Sequence, residues 1–126
     1  MNIARFVIYL AIAFFLLYGV AFSVLPAQMA MLITQSQPDG GSPTIDFRAT
    51  YGGLNIAIGL TLIYLYAIKH IRACLIITII VLLSMAVTRS LGFVLDGSGN
   101  TLMMLFLVLE VLGSMLAFVA LRRVND

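Results

Sequence analysis

The chain has 126 residues, of which 63% are hydrophobic and 10% are charged, and its mean hydropathy is +1.15. Soluble domains carry about 25% charged residues, and a small domain buries only part of its apolar surface. This composition therefore excludes an ordinary soluble protein and predicts one integral membrane domain over 1–126. The net charge of +2 predicts no nucleic-acid partner. With one cysteine and one histidine, the chain offers no intrachain disulfide, and we expect neither a metal nor another cofactor.

Four apolar runs define the predicted elements, because each is close to the roughly 20 residues that a helix needs to cross hydrocarbon. A backbone in lipid must satisfy its own hydrogen bonds, so each run is predicted to be an α-helix. The first run is longer than the apolar part of a signal peptide, which favours a retained helix. The helices are expected at about 6–25, 48–68, 73–95 and 101–121, with an outward loop at about 34–47.

Polar segments between these runs predict the turns and the helix ends. Asp46 is a candidate N-cap of the second helix, and Asn100 or Thr101 can cap the fourth. The connection at 69–72 is very short, so the second and third helices are expected to form an antiparallel hairpin. The mildly amphipathic stretch 27–35 either extends the first helix or lies along the membrane surface.

The distribution of Lys and Arg predicts the orientation. On one side of a four-span arrangement lie Arg5, Lys69, Arg72, Arg122 and Arg123. The loops on the opposite side are acidic. By the positive-inside rule, both termini are predicted to lie in the cytoplasm. The predicted fold is therefore an all-α, four-helix transmembrane bundle with up-down-up-down topology.

A polar stripe begins the second helix. Arg48, Gly52, Asn55 and Gly59 follow helical spacing and share one face, with Tyr51 beside it. The glycines on this stripe either allow another helix to approach closely or clear room for a ligand beside Arg48 and Asn55. The glycines predicted to serve helix packing are Gly52, Gly53, Gly59, Gly92 and Gly113.

Arg48 is expected at the N-terminus of its own helix, which is the unfavourable end of the helix dipole for a cation. Asp46, the more distant Glu110, or an anionic ligand or lipid headgroup would compensate its charge. Alternatively, Arg48 snorkels to the outer interface.

Arg89 and Glu110 lie at compatible depths on consecutive antiparallel helices. A charge at the centre of a bilayer costs at least about 2.5–3.5 kcal/mol, and a guanidinium suits a carboxylate bidentately. We therefore predict an Arg89–Glu110 ion pair, with Arg48 and Asn55 completing a polar cluster in the outward half. The pair either belongs to a functional site or only fixes the helix register.

The string Arg48-Ala49-Thr50-Tyr51-Gly52-Gly53, together with Arg89 before Gly92 and Glu110 in the last helix, resembles a bacterial family of small four-helix inner-membrane proteins catalogued as a domain of unknown function. The resemblance covers nearly the whole chain. It implies a multi-pass bundle in the bacterial inner membrane and carries no established activity. A broader likeness to DoxX-like membrane proteins rests on architecture alone.

Three functions are compatible with the sequence. The favoured one is a non-enzymatic binding or accessory protein whose outward cluster holds a lipid headgroup, a quinone-like molecule or a partner helix. The second is a small, dimeric, proton-coupled transporter that uses Glu110. It resembles the small multidrug resistance family in length, but that family carries its essential glutamate in the first helix, which has no acid here. The third is a membrane enzyme with Glu110 as acid or base and Asn55 and Tyr51 as hydrogen-bond partners. The sequence is also compatible with a homodimer that forms through the glycine stripe.

Overall fold

The computed structural model describes residues 2–124, which form helices and no strand. Four of the helices are long and apolar enough to cross a membrane, and the short α2 is not among them. This agrees with a small membrane protein. The helices are α1 (Ile3–Val24), α2 (Pro26–Thr34), α3 (Gly41–Ala67), α4 (Ile71–Leu95) and α5 (Thr101–Arg122).

The second membrane-length helix, α3, begins at Gly41 rather than at the predicted position 48. Gly40 precedes it with φ of 84°, a left-handed conformation that glycine adopts readily. Pro43 lies in the first turn, where a missing backbone N–H is tolerated. The first residues of α3 are too polar to belong to an apolar run, so hydropathy could not include them. The loop expected over 34–47 is correspondingly shorter.

Asp46 is therefore not the helix cap that the sequence suggested, because it lies inside α3. Its Oδ1 accepts a hydrogen bond from the Thr50 hydroxyl at 3.2 Å. At α5 the prediction is confirmed, since the Asn100 side chain accepts from the backbone N–H of Met103 at 2.9 Å. This bond satisfies one of the N–H groups that every helix start leaves unpaired.

A proline separates α1 from α2. Pro26 has no backbone N–H to donate to the preceding turn, so the helix is interrupted at Leu25, whose φ and ψ are −126° and 55°. Residues Pro26–Thr34 then form a separate short helix. Its end is marked by Gln35, which takes the left-handed conformation with φ of 60°.

The described chain divides into two compact units, one of which is Leu10–Tyr64. In this unit α1 and α3 approach each other closely along glycines. A Cβ built on Gly19 would lie 2.7 Å from the backbone nitrogen of Ile56, and one built on Gly59 would lie 2.6 Å from a Leu16 methyl group. The contact at Gly19 is with backbone atoms and requires glycine, whereas the one at Gly59 is with a flexible side chain. Later residues of α3 contact earlier residues of α1, so the two helices are antiparallel.

The other unit combines the chain up to Tyr9 with the chain from Leu65 onward. Here α4 packs against α5, and the start of α1 meets the end of α3. The hydroxyls of Tyr9 and Tyr66 are hydrogen-bonded at 2.7 Å, and their ring centroids are 5.2 Å apart. A Cβ on Gly113 would lie 2.9 Å from a Leu82 methyl group, so the α4–α5 contact is also close.

Candidate functional site

Arg89 and Glu110, which the sequence predicted to pair because they lie at compatible depths in the membrane, form an ion pair in the structure. The Nη2 of Arg89 donates to Oε1 of Glu110 at 2.6 Å, and its Nε donates to Oε2 at 3.1 Å and to Oε1 at 3.2 Å. Both carboxylate oxygens are thus engaged by one guanidinium, the bidentate arrangement that is the strongest form of this contact. The Glu110 side chain is 6% exposed and that of Arg89 is 20% exposed. The guanidinium is therefore the more accessible member of the pair.

Two further residues of α5 hold the same guanidinium. The Nη1 of Arg89 donates to the sulfur of Met103 at 3.0 Å, and its Cζ lies 5.5 Å from the centroid of the Phe106 ring. Met103, Phe106 and Glu110 are spaced i, i+3 and i+7, so they share one face of the helix. A thioether, an aromatic face and a carboxylate together position Arg89. The sequence prediction named only the carboxylate, although this spacing would have indicated the other two.

The Arg48–Gly53 segment of α3 is π-helical. The backbone N–H of Leu54 donates to the carbonyl of Ala49, five positions earlier, so the turn contains one residue more than an α-helical turn. The buried side chain of Asn55 donates through Nδ2 to the Tyr51 carbonyl at 2.7 Å. Isolated π-helical turns are frequent at functional sites. Tyr51 and Asn55, both predicted site residues, belong to or adjoin this one.

Arg48 donates a hydrogen bond through Nη1 to the backbone carbonyl of Ser23. Ser23 lies in the last turn of α1, where carbonyl groups lack helical partners and the helix dipole is negative. Since α3 begins at Gly41, Arg48 is not at the N-terminus of its own helix, and the expectation that it occupies the unfavourable end of that dipole is wrong. Arg48 instead lies at the favourable end of the neighbouring helix.

Three aromatic rings close in sequence to Ser23 and Arg48 stack on one another. The Tyr51 ring stacks on Phe22 and on Phe47, each at 5.1 Å between centroids, and Phe22 and Phe47 are 6.3 Å apart. The Phe22 side chain is fully buried, whereas Tyr51 is exposed. Stacked pairs add roughly 0.5–1.5 kcal/mol beyond their area burial. The three rings therefore fix the end of α1 against the π-helical segment.

The glycines of this region differ in their surroundings. A Cβ on Gly52 would lie 2.9 Å from the backbone nitrogen of Ser23, whereas a Cβ on the adjacent Gly53 would have nothing within 4 Å. On α4, a Cβ on Gly92 would only reach Asp96 at 3.6 Å, an ordinary contact. Of the five glycines predicted to serve helix packing, Gly52, Gly59 and Gly113 therefore lie at close helix contacts, and Gly53 and Gly92 do not.

Residues 3–121 match a protein family described as "Domain of unknown function (DUF4345)". The chain belongs to the DUF4345 family. The match includes both the Arg89–Glu110 pair and the π-helical segment. No curated protein and no solved structure matches the chain.

The structure brings Arg89 and Glu110 of this DUF4345 chain together in one unit, and it places Arg48, Tyr51 and Asn55 in the other. The joining of these two groups into one cluster stays a prediction. Among residues 2–124, no group of three or more His, Cys, Asp or Glu side chains is arranged to hold a metal ion. Every fully buried side-chain nitrogen or oxygen in that range has a hydrogen-bond partner.

Proposed function

We propose that the chain is a non-enzymatic binding or accessory protein of the bacterial inner membrane. Its proposed ligand-binding residues are Arg89 and Glu110 in one unit and Arg48, Tyr51 and Asn55 in the other. The ligand is a lipophilic molecule with a hydrogen-bond-accepting head, such as a lipid or a quinone. The observation that carries the proposal is the Arg89–Glu110 pair on two membrane-length helices. Ionisable residues at such depth usually mark functional sites.

The accessibility of the pair favours a ligand that accepts hydrogen bonds. The more exposed Arg89 is a donor only, and the acceptor Glu110 is nearly covered.

The ion pair also makes the two alternative functions, proton-coupled transport and membrane catalysis, less favourable than binding. Both oxygens of Glu110 accept from Arg89, so a transport cycle or acid–base catalysis at Glu110 would first have to open this pair. A binding role needs no such step.

Replacing Arg89 or Arg48 by glutamine is expected to reduce co-purification of the ligand or partner by about tenfold, the loss of one charge-assisted hydrogen bond. The measurement is mass spectrometry of the protein purified from its native membrane in mild detergent. Arg5→Gln removes the same charge near the start of α1 and serves as the matched control. Unchanged co-purification in both the Arg89 and the Arg48 variants would refute the proposal, and equal loss in the control would show an effect of net charge alone.

The same proposal places the four long helices in an up-down-up-down bundle with both termini in the cytoplasm. Two contacts support this arrangement of the basic residues. The Nη1 of Arg72 donates to the Val124 carbonyl at 3.1 Å, and Tyr9 contacts Tyr66. Both contacts join segments that carry Lys and Arg.

A reporter enzyme that is active only in the periplasm should be silent when fused after the last residue, and active when inserted in the turn at Gly97. Reporter activity should be present in the Gly97 insertion and absent in the C-terminal fusion, because the reporter does not function in the cytoplasm. Activity of the C-terminal fusion, or silence of the Gly97 insertion in a stably expressed protein, would overturn this orientation.

A further inference from the structure

An open groove of about 250 Å³ lies between α4 and α5, and neither Arg89 nor Glu110 belongs to its lining. Its lining is almost entirely apolar. The one hydroxyl in it belongs to Ser114, and this group donates to the Val111 carbonyl of its own helix at 2.8 Å. The groove is lined by Ile79, Leu83, Ser114, Met115, Phe118 and Val119.

Two arginines lie beyond the same end of this groove, one on each helix. Arg72 precedes Ile79 at i, i+7 spacing, and Arg122 follows Phe118 at i, i+4 spacing, so each shares a helix face with a groove residue. The Cζ of Arg122 lies 4.8 Å from the centroid of the Phe118 ring. Arg72 reaches the segment that follows α5, since its Nη1 donates to the carbonyl of Val124 at 3.1 Å. Both arginines therefore lie at one end of the apolar groove.

We propose that this groove and the guanidinium groups of Arg72 and Arg122 form a binding site for one phospholipid with a net negative headgroup. The acyl chain packs along the groove, and the phosphate oxygens accept hydrogen bonds from the two arginines. Guanidinium groups match phosphate geometry, and basic pockets between membrane helices bind anionic headgroups. Under the proposed orientation this site faces the cytoplasmic leaflet, whose surface is anionic.

Charge also decides between a lipid and a second copy of the chain as the occupant. Two copies with the same orientation in the membrane are related by a two-fold axis along the membrane normal, so a symmetric dimer through this groove would bring the arginines of both copies together in one leaflet. Like charges at such a contact repel. An anionic lipid has the opposite charge at the same position, so the site is complementary to the lipid.

The test is native mass spectrometry of the full chain in mild detergent, titrated with dioleoyl phosphatidylglycerol or with dioleoyl phosphatidylcholine. We expect one phosphatidylglycerol to bind about tenfold more tightly than phosphatidylcholine. Arg72→Gln and Arg122→Gln should each lower the phosphatidylglycerol affinity about tenfold, the loss of one charge-assisted hydrogen bond. Val119→Trp, which fills the groove at an exposed position, should weaken both lipids.

Lys69→Gln is the matched control, because it removes one positive charge from the connection just before α4 and leaves the groove intact. It should keep the preference for phosphatidylglycerol. Equal affinity for the two lipids, or a loss in Lys69→Gln as large as that in Arg72→Gln, would overturn the proposal.

Discussion

Replacing Glu110 by alanine is expected to destabilise the folded protein by about 3–5 kcal/mol, the cost of removing one partner from a buried ion pair. The Glu110 side chain is 6% exposed, and its loss removes the two carboxylate oxygens that accept hydrogen bonds from Arg89. Met103 and Phe106 remain beside the cation, but a thioether and an aromatic ring are weak partners. Equilibrium unfolding in mixed detergent micelles, followed by helical circular dichroism, measures the change.

A double-mutant cycle separates the interaction from the cost of an unpaired charge. Arg89→Leu combined with Glu110→Leu removes both charges, so the double variant should be more stable than either single variant. A third variant, Met103→Leu, keeps the shape of the site without the sulfur acceptor and should cost less than about 1.5 kcal/mol. If the two single substitutions were each nearly neutral and simply additive, the pair would not stabilise the protein.

Gly52→Ala is expected to cost about 1–3 kcal/mol, the usual effect of adding a methylene to a close-packed contact. The new Cβ would lie 2.9 Å from the backbone nitrogen of Ser23. A backbone atom cannot rotate away, so α1 and α3 would have to separate. The shift would also disturb the hydrogen bond from Arg48 to the Ser23 carbonyl. Equilibrium unfolding followed by helical circular dichroism, as for Glu110→Ala, measures this loss of stability.

The adjacent Gly53 provides the control for this experiment. It lies in the same π-helical segment, and a Cβ there meets nothing within 4 Å. Gly53→Ala should be neutral or stabilise the protein by up to about 1 kcal/mol, because alanine is the better helix former. Gly59→Ala should be intermediate, since its closest contact is the flexible side chain of Leu16. A Gly52 variant as stable as the Gly53 variant would contradict the close approach of α1 and α3.

The sequence predicted the features that the membrane itself imposes. Hydrocarbon requires long apolar helices, and three of the four run close to the residues expected from hydropathy. Hydrocarbon also penalises isolated charges, so the matching depths of Arg89 and Glu110 were sufficient to predict that they form a pair. Both predictions used only the energetic cost of polar groups in lipid, and this cost is the same for any membrane chain.

Features that depend on local backbone geometry were not predictable in this way. The partner of Arg48 is a backbone carbonyl, a group that every residue has, so no residue type identified Ser23. Pro26 was the available signal, because a proline that ends a helix leaves carbonyl groups of the last turn without partners. The start of α3 at Gly41 was missed because its first turns are polar. The π-helical segment has no pattern of apolar residues that distinguishes it from an α-helix.

The extra residue in the Arg48–Gly53 turn has a geometric consequence for the whole of α3. In an α-helix each residue advances the chain by about 100° around the axis, so one additional residue changes the angular phase between the first and second parts of the helix. Phe47 thereby stacks on Phe22 near the end of α1, while Gly59 meets Leu16 in the middle of α1. In a regular helix Phe47 and Gly59, twelve positions apart, would differ by about 120° around the axis. The extra residue reduces this difference to about 20°, so the irregular turn serves as the phase correction that lets both residues face α1.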